Sequence, residues 1–190
     1  MEFFEYFGLG EQGKRDNVLL DRYPQEMGVA SSDLSFGRYG GQVVNGRVRM
    51  IMTDEHPGIV LTDFISTTTS YLIVSNDAKE VIERECSNEI EYVNLDIINH
   101  KGKLHSGTYW IVNPIGTKDV LDIDKCKPFW KNDKVTLLGV IKRFYDKRKF
   151  ESVPHLFRVY GSPQDILIRL YVPTIHENKC VIRTSQATLL

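Results

Sequence analysis

Ser66-Thr67-Thr68-Thr69-Ser70-Tyr71-Leu72-Ile73-Val74-Ser75-Asn76-Asp77-Ala78-Lys79-Glu80-Val81-Ile82-Glu83-Arg84-Glu85-Cys86 changes its period at one residue, and that change decides the fold class. As far as Val74 the stretch is hydroxylic, β-branched and apolar, which suits a strand. Ser75 then stands where a hydroxyl can accept from the backbone of a new helix. Beyond it, Ala78, Val81, Ile82 and Cys86 recur at helical spacing. They predict one stripe packed inward, with Lys79, Glu80, Glu83 and Arg84 facing water and the helix ending near Asn88.

Downstream of this helix Ile90, Tyr92, Asn94 and Asp96 alternate with Glu91, Val93, Leu95 and Ile97. A turn at His100-Lys101-Gly102-Lys103 and a return through Tyr109-Trp110-Ile111-Val112 make a β-hairpin. Further strands are expected at 135–141, 156–160 and 166–172, with a short helix after Pro173 and a closing strand near Val181-Ile182. Upstream, Arg47 to Met52 alternates basic with apolar residues as a half-buried strand does, and Pro57-Gly58 turns the chain. The first 45 residues, broken by Gly8, Gly10, Gly13, Gly37, Gly40 and Gly41, read as irregular with at most one short element. The sum is α+β: a single strand-rich domain over residues 1–190, with a mostly antiparallel sheet and a few short helices. No repeat or low-complexity tract divides it.

A chain of 190 residues, 42% hydrophobic and 26% charged, has the balance of a globular domain. At this size it buries about 70% of its unfolded surface. No window reaches the roughly 18 apolar residues of a membrane span. Met1-Glu2-Phe3-Phe4-Glu5 carries acids where a signal peptide carries bases, so a cytoplasmic location is expected. Cys86, Cys126 and Cys180 form no CxxC pair, and reduced, mostly buried thiols are expected. Net charge is −1, yet residues 1–124 hold 20 acids and 11 bases while 125–190 hold 5 acids and 13 bases. Such asymmetry steers charged partners wherever folding leaves it unmixed.

Signatures of chemistry are few. There is no GxxxxGK[ST], GxGxxG, HExxH or GxSxG, which removes the common nucleotide, zinc-protease and serine-hydrolase classes. His100 and His105 bracket Lys101 and Lys103, whose charges oppose a cation. Asp54-Glu55-His56 reads as a solvated turn ahead of Pro57-Gly58. Asp119, Asp122 and Asp124 lack the glycine and bidentate glutamate of a calcium loop and read as an exposed acidic interaction surface. Lys142, Arg143, Lys147, Arg148 and Lys149 are interleaved with Phe144, Tyr145 and Phe150, a mix that can hold single-stranded nucleic acid, though a solvated loop is the simpler reading. No catalytic residue, metal ligand or cofactor is assigned.

Phe64-Ile65-Ser66, Ser75 to Glu83, Tyr109-Trp110-Ile111-Val112-Asn113-Pro114, Leu121-Asp122 and His155-Leu156-Phe157-Arg158 fall in an order that resembles immunity protein family eleven, of the bacterial polymorphic-toxin systems. The resemblance covers roughly residues 60–185. It departs at Leu170-Tyr171-Val172-Pro173-Thr174, where the family has a strand, a serine cap and a longer helix. The resemblance implies a small cytoplasmic protein that binds a cognate toxin, delivered by contact-dependent or type VI-like secretion, without cofactor or reaction. His155, Phe157 and Arg158 are expected to be structural, because the family keeps them while its toxins differ.

On that basis an acidic surface is expected to occupy the basic substrate cleft of a toxin, with a nuclease as one candidate class. The residues expected to bind are Asp54, Glu55, Asp119, Asp122 and Asp124, with Tyr109 and Trp130 as aromatic anchors. Trp110 neighbours Tyr109 in one strand, so only one of the two can face outward. The competing readings are a nucleic-acid-binding module using 142–149 and a small metal-dependent nuclease built around His56 or His155.

Overall fold

A computed structural model describes residues 3–6, 16–40, 47–105 and 107–169. The expected α+β class holds, strand-rich with few helices. Six strands close a barrel in the order β2-β3-β6-β7-β5-β4, comprising β2 (Leu19–Asp21), β3 (Val48–Met52), β4 (Phe64–Thr67), β5 (Leu72–Ser75), β6 (Ile90–Ile98) and β7 (Tyr109–Pro114). A second sheet runs β1-β12-β11-β8, from β1 (Phe4–Tyr6), β12 (Ser162–Ile168), β11 (Leu156–Val159) and β8 (Thr117–Lys118). The strands β9 (Pro128–Trp130) and β10 (Leu137–Val140) form a separate two-stranded ribbon. Most pairings between these strands are antiparallel, the exceptions being β2–β4, β3–β6 and β8–β11.

The barrel interior follows the period-2 pattern. Val48, Met50 and Met52 of β3 point inward and are buried, while Arg49 and Ile51 point out. Val93, Leu95 and Ile97 do the same in β6, and Ile73 and Ile111 complete the layer from β5 and β7. Strand β5 reads as a continuous apolar run because both its faces are covered. Leu72 and Val74 turn outward into another cluster with Ala78, Ile82, Val112, Leu156 and Ile166, where the barrel, the α2 helix (Asn76–Glu85) and the second sheet meet.

Helix α2 starts where the sequence places it. Ser75 Oγ accepts from the Ala78 amide at 3.2 Å and donates to Asp63 at 2.6 Å. Two details differ from expectation. Val81 is 40% exposed, because the covered arc is narrow and Ala78 with Ile82 fills it. Lys79 does not simply face water: its ammonium lies 4.7 Å from the Tyr92 ring and 4.9 Å from the Trp110 ring, its stem lying along the barrel wall.

Among its described residues, 3–6 and 16–40, the N-terminal region carries more than the one short element expected. It supplies β1, β2, a 3-10 turn at Gln25–Met27 and a six-residue helix α1 (Ala30–Ser35). Val18, Leu20, Met27, Ala30 and Leu34 are all buried in the barrel core. These elements are too short to carry a period, and their partners are remote in sequence: β1 pairs β12, and β2 pairs β3 and β4. The strand expected at 166–172 begins earlier, at Ser162. The helix after Pro173, the strand near 181–182 and the departure at 170–174 lie outside the described residues, as does Cys180.

Candidate partner-binding surfaces

Because β2 and β3 are antiparallel with Asp21 opposite Ile51, their outer ends and the following turn frame an open groove of about 670 Å³. Along it, Asp21 pairs with Arg22 at 3.4 Å and Glu26 with Arg49 at 4.0 Å, while the exposed side chains of Ile51 and Tyr23 supply apolar area. Thr68 Oγ donates to Asp21 and holds its carboxyl below the usual range. Asp54 and Glu55 stand on the rim, both exposed. Among the described residues Asp54 faces the His100 imidazole alone, at 3.5 Å. His100 Nε2 lies 3.2 Å from the Gly58 carbonyl, which ties the ring to the turn.

The other acids are differently placed. Asp119 is bound by Lys149 through both oxygens at 3.0 Å, and Asp122 by Lys125 at 2.5 Å, whose hydrogen bond holds the Asp122 carboxyl below its ordinary value. Asp124 alone of the three is exposed without such a partner among the described residues. The five acids do not form one patch by shared contacts: two stand on the barrel turn, three in the loop beside the second sheet.

Three cations of the basic run pair with the protein's own carboxylates, although Lys142, Arg143, Lys147 and Arg148 all remain exposed. Arg143 bridges Glu5 and Asp165, Arg148 binds Asp146, and Lys149 binds Asp119. The run is mostly exposed, as a solvated loop would be, but Lys147–Ser152 winds into a 3-10 helix capped by Asp146. Phe150 is buried against Phe3, and the Tyr145 hydroxyl donates to Glu5 at 3.3 Å. Only Phe144 of the three interleaved rings remains exposed, so the run offers no stack of aromatic faces to a nucleic acid.

Of the two aromatic anchors, Tyr109 lies inside the barrel with 8% exposure and has no surface to offer. Strand alternation puts Trp110 outside instead, where its indole donates to Asn76 at 3.2 Å beneath Lys79. Trp130 is exposed on β9, and it has company that the sequence did not announce: Phe129, Val135, Leu138 and Ile141 are exposed on or beside the same ribbon. An apolar run such as 135–141 reads as a buried strand. The available signal was Asn132-Asp133-Lys134, a tight turn that isolates two apolar segments as a free hairpin.

His56 and His155 stand apart from any group of potential ligands: no three His, Cys, Asp or Glu side chains gather as a metal would require among the described residues. Cys86 and Cys126 are free thiols, Cys126 buried and Cys86 partly so, as expected. The resemblance motif His155-Leu156-Phe157-Arg158 runs into β11, which starts at Leu156, with the last three side chains buried and Phe157 packed edge-on to Phe3 at 5.6 Å. Its role is in the core, as the resemblance implies. No helix among the described residues is long and apolar enough to cross a membrane.

Comparison with curated proteins returns no match. The sequence model of the immunity protein family Imm11 matches residues 15–169, which takes in β2 and α1 as well as the motifs from Phe64 onward. That span covers the whole barrel and the β8, β11 and β12 strands of the second sheet, and the chain belongs to the Imm11 immunity protein family.

Proposed function

We propose that the chain is the cytoplasmic immunity partner of a bacterial toxin, binding it stoichiometrically and covering its active site. The observation that carries this reading beyond family membership is the groove at β2 and β3, where the carboxylate of Glu55, unpaired among the described residues, and the 93% exposed side chain of Asp54 rim an open cleft with apolar area inside it. Such a rim attracts the cationic cleft of an enzyme whose substrate is a polyanion, which makes a nuclease the first toxin class to test. The setting would be bacterial competition by contact-dependent or type VI-like delivery, with no cofactor and no reaction of the chain's own.

The test is co-expression with the product of the adjacent upstream gene. The neighbour is expected to stop growth alone and to become harmless, in a stable 1:1 complex, when this chain is present. A harmless neighbour that does not co-purify would overturn the proposal.

A further inference from the structure

We infer that the β9–β10 ribbon is the anchor by which the chain grips its toxin, and that the toxin face it meets is acidic around an apolar cleft. This rests on the toxin-binding reading and deepens it.

Six large apolar side chains are exposed within sixteen residues: Phe129 at 53%, Trp130 at 42%, Val135 at 77%, Leu138 at 64%, Ile141 at 61% and Phe144 at 42%. Isolated exposed apolar residues are ordinary, but a concentration of this kind marks an interaction surface. The ribbon is also fixed in shape. Its ladder extends past the strands through Lys131 N to Thr136 O at 2.9 Å and Ile141 N to Lys127 O at 3.0 Å. Asp133 accepts from the Val135 and Thr136 amides and from the Thr136 hydroxyl at 2.6–2.9 Å, which locks the tip with Lys134 at φ +56°. Leu137 turns inward, 8% exposed, over Gly161, where an added Cβ would lie 2.5 Å from its Cδ2, and the half-buried Val140 packs against the core cluster of Phe157, Val159 and Leu167. A two-stranded ribbon is marginal by itself, and among the described residues its exposed side chains belong to none of the core clusters of the barrel or the second sheet. It is a preorganised apolar face with nothing of its own to cover.

Charge names the partner. Lys127, Lys131, Lys134 and Lys142 surround this face, all exposed, and none has a carboxylate within ion-pair distance among the described residues. The one carboxylate of the tip, Asp133, is spent on the turn. A partner must therefore bring anions to the rim and apolar area to the centre. Val135, Leu138 and Ile141 are aliphatic and offer no stacking face, which favours a protein over a nucleic acid. The ribbon and the 54–55 turn are opposite in sign, so the toxin that fits both is itself dipolar.

The experiment measures binding kinetics of the full chain with the inactivated product of the upstream gene. Trp130→Ala and Leu138→Asp are each expected to raise Kd by about 30-fold or more, mainly through faster dissociation. The pair Lys131→Glu with Lys134→Glu is expected to slow association about tenfold at low salt. Val29→Ser, at the exposed start of α1, should change nothing, and each variant must unfold at the wild-type denaturant midpoint to count. If the wild type binds and both apolar variants bind within about threefold of it, the anchor is elsewhere and only this inference falls. If the wild type itself does not bind, the toxin reading falls and takes this one with it. Tight binding of a 20-nucleotide single strand that Trp130→Ala abolishes would assign the ribbon to nucleic acid and overturn the inference.

Discussion

Arg158 donates from Nη2 to the Leu34 carbonyl at 2.8 Å, joining β11 of the second sheet to the end of the helix that plugs the barrel. Its Nη1 donates to the Ser35 and Pro163 carbonyls at 3.1 and 2.8 Å. The side chain is 1% exposed and no carboxylate pairs with it among the described residues. The last carbonyls of a helix lack intrahelical donors and carry the negative end of its dipole, so they take the place of the missing anion. Burial lowers the guanidinium pKa to about 10, which leaves it charged at neutral pH.

Removing that cation takes the guanidinium donor from the Ser35 and Pro163 carbonyls, leaves the Leu34 carbonyl with the Gly37 amide at 3.4 Å, and opens a cavity between the two sheets. Arg158→Ala is expected to cost about 3–5 kcal/mol in urea unfolding, on the scale of breaking a buried ionic contact. Arg158→Lys keeps charge but not the fork, and should recover only part of the loss. A loss under about 1 kcal/mol would remove Arg158 from its place as the link between sheets. Gly37 reports on the same packing: its φ is +68°, and an added Cβ would lie 2.8 Å from Arg158 Cδ, so Gly37→Ala should destabilise by about 1–3 kcal/mol.

At the other end of the α2 helix's first turn, Ser75 links the cap to Asp63. Ser75→Ala is expected to lose about 1 kcal/mol. Asp63→Ala should lose less, and the double variant less than the sum, because both remove the same hydrogen bond. Additive losses in thermal or urea melts would contradict the coupling.

The fold was legible where period and punctuation agree. Ser75 and the Ala78/Ile82 stripe gave α2, and alternation gave β3, β6 and β7. Barrel closure was not legible, since it rests on β2, three residues long, pairing β3 and β4 across gaps of about 30 and 45 residues. The candidate surfaces were half legible. Asp54 and Glu55 are exposed turn residues because Pro57-Gly58 follows them, whereas the pairing of Asp119 with Lys149 depends on tertiary proximity that no local pattern records. Tyr109 and Trp110 differ only in strand parity, and parity is fixed by which face meets the barrel interior. The charge asymmetry between the two parts of the chain is partly cancelled for the same reason, by Glu5 with Arg143 and Asp119 with Lys149.

Two carboxylate groups should give pH dependences of opposite sign. Burial raises the Glu5 and Asp165 carboxyls above their ordinary values, Asp165 adding to the rise at Glu5 and Arg143 opposing both. The folded state then holds the proton longer than the unfolded chain, so their contribution is full below about pH 4 and is lost as pH rises through the raised values. Asp146 is the reverse: hydrogen bonds from Arg148 hold it at about 2, so its contribution is present above about pH 4 and is lost as pH falls toward 2. In urea unfolding, Asp165→Asn should be at least as stable as wild type at pH 7 and lose that advantage on acidification. Asp146→Asn should be weaker than wild type at pH 7 and converge with it in acid. The same sign for both variants would refute the assignment.

The acids divide by whether they are already neutralised, and that division predicts their effect on toxin association. Asp54 and Glu55 have no lysine or arginine partner among the described residues, while Asp119 and Asp122 are held by Lys149 and Lys125. A free carboxylate projects its field into solvent, whereas a paired one projects a dipole that falls off faster and is screened within about 8 Å at physiological salt. Asp54→Ala with Glu55→Ala should therefore slow association with a basic toxin cleft by about fivefold to tenfold at low salt and flatten its salt dependence. Asp119→Ala should not slow association, and by freeing Lys149 it makes the local field more positive. Stopped-flow association at several ionic strengths distinguishes the two pairs. If Asp119→Ala slows binding as much as the double change at 54 and 55, the toxin's cationic cleft meets the second sheet rather than the barrel groove.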